Sequence, residues 1–391
     1  MNTYNAVEKK GLCVKCGMCS STCSRNAIIN TYDEDKGFYR IQLLKDRCNQ
    51  CGLCMKVCPV LCNFDKASVS ITGPYQRLLL GHAADTKIRR YATSGGCVNA
   101  LIRYLITEEK VSNVLMVCEH GKEKTGTNVI IVNRQNINLL GDSPRKFASR
   151  YVSYPVLSGL KQIKSEKNIA VVGTPCQIMA LTNYNRIFRN KKIFKIGIAC
   201  SGGTSYKASE YLLKRRKLQG GTIYYRGDGW PGNNSIISGK RTYNEKHLES
   251  LFSQLYKSQV FRNPACLQCN DQFAEDSDIS FFDFWNSKEQ QRERIGNSGI
   301  IVRSTNAAIY LEDMFRKNYI DVVGCISEKD VIKSQAWPVL LKKKRYYNKY
   351  YIAGYYRFAE FLFRSKFYAI IPEKGYQMLV SLFKKLIPND M

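Results

Sequence analysis

Two cysteine runs constrain this chain more than any other feature: Cys13-x2-Cys16-x2-Cys19-x3-Cys23, and Cys48-x2-Cys51-x2-Cys54-x3-Cys58 followed by Pro59. Three thiolates at two-residue gaps wrap three corners of one 4Fe-4S cubane, and the fourth cysteine of each run reaches the other cluster. The spacing therefore assigns Cys13, Cys16, Cys19 and Cys58 to one cluster and Cys48, Cys51, Cys54 and Cys23 to a second. Gly17 and Gly52 follow the second cysteine of each run, where a residue without Cβ eases the tight path around the sulfurs. Ser24 stands where such runs usually place proline, which touches the local turn more than the ligation. A pair of zinc sites is the competing reading, but zinc ribbons use cysteines in pairs and have no use for a triple run. Residues 1–70 thus read as a domain held by metal more than by an apolar core.

Sixteen cysteines in 391 residues would suggest disulfides in a secreted chain, yet the opening MNTYNAVEKK has no apolar stretch or small-residue cleavage site. The expected location is cytoplasmic, where clustered cysteines mean metal or redox chemistry. No apolar run reaches the length of a membrane-spanning helix. With 60 Lys+Arg against 32 Asp+Glu, the formal charge of +28 calls for an anionic counterpart. The candidates are an acidic electron carrier such as ferredoxin, an anionic lipid surface, a phosphorylated substrate and nucleic acid. Nucleic acid ranks last, because no zinc finger, helix-turn-helix or RNA-binding aromatic motif accompanies the charge.

After Pro74 the pattern changes. Asn113–Cys118, Asn168–Gly173, Ile193–Cys200 and Gly299–Ser304 read as short, buried, apolar strands. A helix capped by Ser94 would place Val98, Leu101, Ile102, Leu105 and Ile106 on one face. Strands alternating with helices predict an α/β domain over 75–335. From 336 to 391 the basic run Lys342, Lys343, Lys344 and Arg345 leads into a Tyr- and Phe-rich stretch, read as a basic aromatic helical tail. The expected fold class is α+β: a bacterial-type two-cluster ferredoxin domain, an α/β ligand-binding domain and that tail.

Three further motifs stand in the second domain: Thr93-Ser94-Gly95-Gly96, Val171-Val-Gly-Thr-Pro-Cys176-Gln177, and Cys266-Leu-Gln-Cys269 leading into Asp278–Trp285. Glycines at a helix start let backbone N–H groups approach an anion, although a plain cap with loop glycines fits as well. Thr174, Pro175 and Gln177 follow directly on a strand, at the sheet edge where open α/β folds place ligands. Cys176 reads either as a buried thiol or, with Cys200, Cys266 and Cys269, as one of four thiolates able to hold another cubane. A structural zinc or a redox pair at the CxxC are rival readings.

With the ferredoxin head, these motifs resemble the family of the coenzyme F420 hydrogenase/dehydrogenase beta subunit, and the resemblance runs from the clusters to about residue 305. It implies an FAD-binding domain, with Ser94, Gly95, Gly96, Thr174, Pro175 and Gln177 at the flavin. It further implies a third 4Fe-4S cluster on Cys176, Cys200, Cys266 and Cys269. Arg145–Tyr151 matches a family segment near the flavin, and either acid of the Asp278–Asp283 strand faces a ligand or simply packs. Cys62, Cys97, Cys118 and Cys325 have no spacing partner and are expected to be small buried hydrophobes. Only three histidines occur, and no HExxH, nucleophile elbow or P-loop is present, so hydrolase and kinase chemistry have nothing to rest on.

The expected activity is that of an iron–sulfur flavoprotein oxidoreductase taking electrons from an acidic ferredoxin-like donor and passing them to a small molecule. The alternative is an electron-relay component of a larger redox complex. Coenzyme F420 is one implied ligand. Many family members stand among genes for surface polysaccharide synthesis, which implies a sugar or lipid-linked sugar substrate and makes Lys342–Arg345 a candidate contact with the inner membrane face; a charged helical tail packed on its own domain is the alternative.

Overall fold

The computed structural model describes residues 2–62, 70–120, 125–163, 166–189, 192–285, 293–343 and 350–387. The first domain carries a hairpin of β1 (Ile28–Asp33) and β2 (Phe38–Leu43), paired antiparallel, between the two cysteine runs. Each run turns the same way. Lys15 and Gln50 adopt positive φ values of 61° and 57°, and Gly17 and Gly52 follow at 85° and 74°. The glycines start the short helices Met18–Thr22 and Leu53–Lys56. At Gly17 a side chain is excluded twice, since a Cβ would also lie 2.6 Å from the Pro155 carbonyl oxygen of the second domain.

The second domain is built on a mixed sheet of eight described strands: β3 (Arg77–Ala83), β4 (Asn113–Glu119), β5 (Thr127–Val132), β6 (Asn168–Gly173), β7 (Lys192–Ile198), β11 (Ile279–Asp283), β12 (Ser298–Val302) and β13 (Ile320–Cys325). Their order is β13-β3-β12-β11-β7-β6-β4-β5. The central strands β4, β6, β7 and β11 run parallel, and β5, β12 and β13 pair antiparallel with their neighbours. Alternating side chains serve opposite faces. Ala170 and Val172 join the core under the helices Cys97–Thr107 and Thr305–Arg316, whereas Ile169 and Val171 pack with Ile178 and Leu181 of helix Pro175–Ile187. Burial on both faces is why these strands are continuously apolar. A smaller sheet holds β8 (Thr222–Tyr224), β9 (Asn233–Ser238) and β10 (Arg241–Lys246).

Four expectations need correction. Ser94 is not the cap of its helix: Gly96 is, at φ 80°, and the Ser94 hydroxyl instead bonds Ser298 Oγ at 2.9 Å and the Asn297 carbonyl at 3.2 Å. Cys97 and Cys118 are buried as expected, but Cys62 and Cys325 are exposed. The C-terminal helices Ala336–Lys343, Tyr350–Arg364 and Glu373–Lys385 are not an appendage. Their Leu341, Ile352, Tyr355, Tyr376 and Phe383 share one core with Ala208, Leu212, Phe252 and Phe261. Lys342 and Lys343 also turn inward, Lys343 onto Glu275, so neither is available to a bilayer; Lys344 and Arg345 lie outside the described residues.

Because Phe383 packs its ring on Tyr355, Tyr356 and Trp337, Phe383→Ala is expected to cost about 3–5 kcal/mol of unfolding free energy. Met378→Ala, at a position 72% exposed, should cost no more than about 0.5 kcal/mol. Denaturant titration of the two variants checks this, and equal small losses would restore the appendage.

Candidate functional site

The carboxyl ends of β6, β7 and β11 stand side by side, and Gly173, Ile198 and Asp283 there line a cavity of about 700 Å³. That is within the usual range for a small-molecule site. Thr93, Ser94, Gly96, Thr174 and Gln177 are on its wall, as are Phe147–Tyr151 from the segment singled out in the sequence. Gly95 and Pro175 stand behind it. A Cβ on Gly95 would come within 2.6 Å of Ser298 N and 2.8 Å of the Gly81 carbonyl oxygen, so this glycine serves the close approach of a loop to the sheet edge. Pro175 takes the first position of helix Pro175–Ile187, between the Thr174 cap and Gln177, whose Oε1 accepts from Thr174 N at 2.9 Å. Much of what reads as a ligand loop is therefore a well-capped helix start that delivers Cys176 to the cavity in its first turn.

Cys176, Cys200 and Cys266 all reach the cavity wall, and Cys269 packs beside Cys176 against Met179. Sheet order explains the convergence. Cys200 follows β7, next to β6 and the helix that carries Cys176, and the 3-10 turn Pro264–Gln268 brings Cys266, with Cys269 as its C-terminal cap. The Cys200 N–H donates to the Gln272 carbonyl, fastening the two loops together. Burial pushes the Cys176 and Cys269 thiols upward, and Cys266 to about 11. The proximity of Cys269 and Cys200 raises Cys176 further, whereas Lys342 opposes the shift at Cys269. Buried thiols that discourage one another's ionisation are groups that a cationic cluster would satisfy.

A second hollow in the first domain is lined by Cys13, Cys16, Cys19 and Cys58, the set that spacing had grouped. Burial pushes Cys16 to about 11 and Cys58 to about 12. Cys54 and Cys23 pack in the adjoining core and accept N–H groups of Thr3 at 3.4 Å and Ala27 at 3.3 Å, while Cys48 is half-buried and Cys51 exposed. Among the described residues, no three His, Cys, Asp or Glu side chains close on a point that would hold one ion. The first set instead lines one hollow. Cys16 is near enough to Cys176 to raise its thiol, and Val14 and Val60 pack between the two groups, against Cys176 and Cys269. The domains are pinned here by Leu157 N donating to the Cys16 carbonyl at 3.0 Å and Asn263 Nδ2 to the Cys13 carbonyl at 3.1 Å.

Sequence reasoning missed the polar end of the cavity. Arg226 is 1% exposed, ion-paired to Asp283, and stacked 5.0 Å from the Trp285 ring. Burial opposes its charge, but Asp283 and Tyr151 outweigh burial and raise its pKa. Among the described residues its Nη2 has no partner, and neither has the buried Nδ1 of His247. Burial, reinforced by Arg226, pushes His247 down to about 2, so the imidazole is neutral. Two buried, unanswered polar atoms on the wall of a cavity that also carries Tyr151, Phe252 and Trp285 fit a polar planar ligand. The available signal was the run Arg226-Gly-Asp-Gly-Trp-Pro-Gly232, whose glycines take φ values of 135°, 93° and 80°. Asp278, by contrast, is structural: its carboxylate accepts from Lys195 N and its carbonyl from Arg303 N and Ser304 N.

The family model of a 4Fe-4S dicluster domain matches residues 12–62. For the coenzyme F420 hydrogenase/dehydrogenase beta subunit, the model of the N-terminal part matches residues 78–161 and that of the C terminus matches residues 166–327. One subunit of the F(420)H(2) dehydrogenase of Methanosarcina mazei is 22% identical over 201 residues, half of this chain and 54% of that protein. The coenzyme F420-dependent sulfite reductase of Methanocaldococcus jannaschii is 28% identical over 177 residues, 45% of this chain and 26% of that protein. The chain thus spans about half of one relative and a quarter of the other. A chain from the F420-reducing [NiFe] hydrogenase complex of Methanosarcina barkeri shares the fold at a TM-score of 0.54 and 16% identity, over 72% of this chain and 94% of that one. The protein is an iron–sulfur redox protein, and it belongs to the family of the coenzyme F420 hydrogenase/dehydrogenase beta subunit.

Proposed function

We propose that this chain is an iron–sulfur flavoprotein oxidoreductase that takes electrons from an acidic, ferredoxin-type carrier and reduces a small molecule in the cavity at the carboxyl edge of the sheet. The observation that carries the reading is the position of Cys176, Cys200, Cys266 and Cys269 between the Cys16 hollow and the 700 Å³ cavity. When bound, the clusters pass single electrons and FAD gathers them for a two-electron reduction.

The residues divide the work. Lys45, Arg47 and Lys56 are exposed around Cys48 and Cys51, a basic rim for an acidic carrier. The open backbone N–H groups at the start of helix Cys97–Thr107, capped by Gly96 on the cavity wall, suit a flavin phosphate. Arg226 Nη2 offers a donor and neutral His247 a hydrogen-bonding nitrogen, while Phe147, Phe252 and Trp285 keep water out. No histidine is needed as an acid, which agrees with the depressed His247. Coenzyme F420, which appears in the names of both relatives, is the candidate substrate this reading favours.

Protein purified without oxygen is expected to hold about twelve iron per chain, four per cubane, and to release one FAD on denaturation. Fewer than about eight iron, zinc in place of iron, or no flavin binding would overturn the reading. A relay role without its own substrate is the second reading, favoured by the naming of one relative as a subunit and of one structural neighbour as part of a complex. Flavin that is reduced by the carrier but turns over substrate only with a partner protein present would establish it.

A further inference from the structure

Lys342 lies on helix Ala336–Lys343, between Val339 in one core and Leu341 in another, both fully buried. Its side chain is therefore held in place from both sides, and the residue is 3% exposed. Nζ donates to the Cys200 carbonyl at 2.6 Å and the Asp271 carbonyl at 2.9 Å, and lies 3.6 Å from Cys269 Sγ. An ammonium is expensive to bury without partners. Here the partners belong to the two loops that carry Cys200 and Cys269.

We propose that Lys342 is a positioning residue for the third cluster, holding the Cys200 and Cys269 loops together and raising the cluster's reduction potential. The inference rests on the reading of Cys176, Cys200, Cys266 and Cys269 as cluster ligands. A cluster gains a negative charge on reduction, and a fixed positive charge beside one of its thiolates stabilises that state, the more so where water is excluded. Burial and hydrogen bonds at sulfur are among the factors that spread cluster potentials so widely. Lys342 is absent from the cavity wall that Cys176, Cys200 and Cys266 share, so it acts from behind the thiols and does not touch substrate. The nearby Asp271 carboxylate accepts the Phe273 and Glu275 N–H groups at 2.9 and 3.1 Å. A second cation, Arg262, packs its guanidinium on Gly202 and bonds the Ser201 carbonyl, on the Cys266 side. Among the described residues near the four thiols, Lys342 alone reaches a sulfur from the C-terminal helices. It thereby ties the last part of the chain to the redox centre.

The test compares the full-length anaerobic protein with Lys342→Gln and Lys342→Arg, by iron content and EPR-monitored redox titration, with the two N-terminal clusters as internal standards. The glutamine variant should keep about twelve iron, with one midpoint potential moved to a more negative value and the other two unchanged, while the arginine variant stays near the parent. If glutamine loses four iron and arginine retains them, the holding role is supported. Three unmoved potentials at full iron content, or loss of the cluster from both variants, would overturn the proposal. About eight iron in the parent protein would instead remove the third-cluster reading on which it depends.

Discussion

Replacing Cys176 by serine is expected to lower the iron content from about twelve to about eight per chain and to disconnect the flavin from the carrier. The substitution is mild for the fold. Serine keeps the size of the side chain, and the helix start survives because Thr174, Pro175 and Gln177 supply its cap without the thiol. What is lost is the thiol that stands between the Cys16 hollow and the cavity. Reduction of the flavin by a reduced ferredoxin-type carrier, followed by stopped-flow absorbance, should slow by more than the roughly 10–100-fold that changes outside the ligand sphere cost. Cys118→Ser is the control: Cys118 is buried in the sheet core away from the four thiols, and its variant should keep all its iron. Twelve iron and a parental rate in Cys176→Ser would remove Cys176 from the cluster.

The two ferredoxin runs were legible because the spacing within each is characteristic, and the hollow lined by Cys13, Cys16, Cys19 and Cys58 matches one of the two groupings. The third set was not legible in that way. Cys176, Cys200 and the Cys266–Cys269 pair meet only because β6, β7 and β11 are neighbours in the sheet, a fact of strand order that local pattern does not contain. Strand β6 was read to the residue, since burial on both faces leaves an unbroken apolar run. Ser94 misled because serine before an amphipathic helix is the commonest cap, whereas the hydroxyl is used on β12 and Gly96 takes the left-handed conformation. The C-terminal helices misled through charge. Lys342–Arg345 suggests a surface, yet Ile352, Tyr355, Tyr356 and Ala359 on one helix and Tyr376, Val380 and Phe383 on the next recur at intervals that build buried helix faces.

Arg226→Met is expected to have the second large effect, and it separates packing from binding. Asp283 would lose its ion-pair partner at the edge of the cavity; because that carboxylate is 20% exposed, the loss should lie near the lower end of the range for broken buried pairs, about 3 kcal/mol. The Nε bond to the Pro231 carbonyl at 3.2 Å and the stack on Trp285 would go as well. Adding Asp283→Asn removes the stranded charge, so the double variant should recover most of the stability in a denaturant titration. The cavity ligand gives the discriminating measurement. Nη2 has no partner within the described residues, and if a bound flavin or substrate takes that N–H, affinity should fall by about tenfold, equivalent to about 1.4 kcal/mol, in the single and double variants alike. Calorimetric titration of the apoprotein with FAD, and of the FAD-loaded protein with F420, reads the two cases separately. Affinity for both that returns with stability in the double variant would make Arg226 a residue of the fold alone.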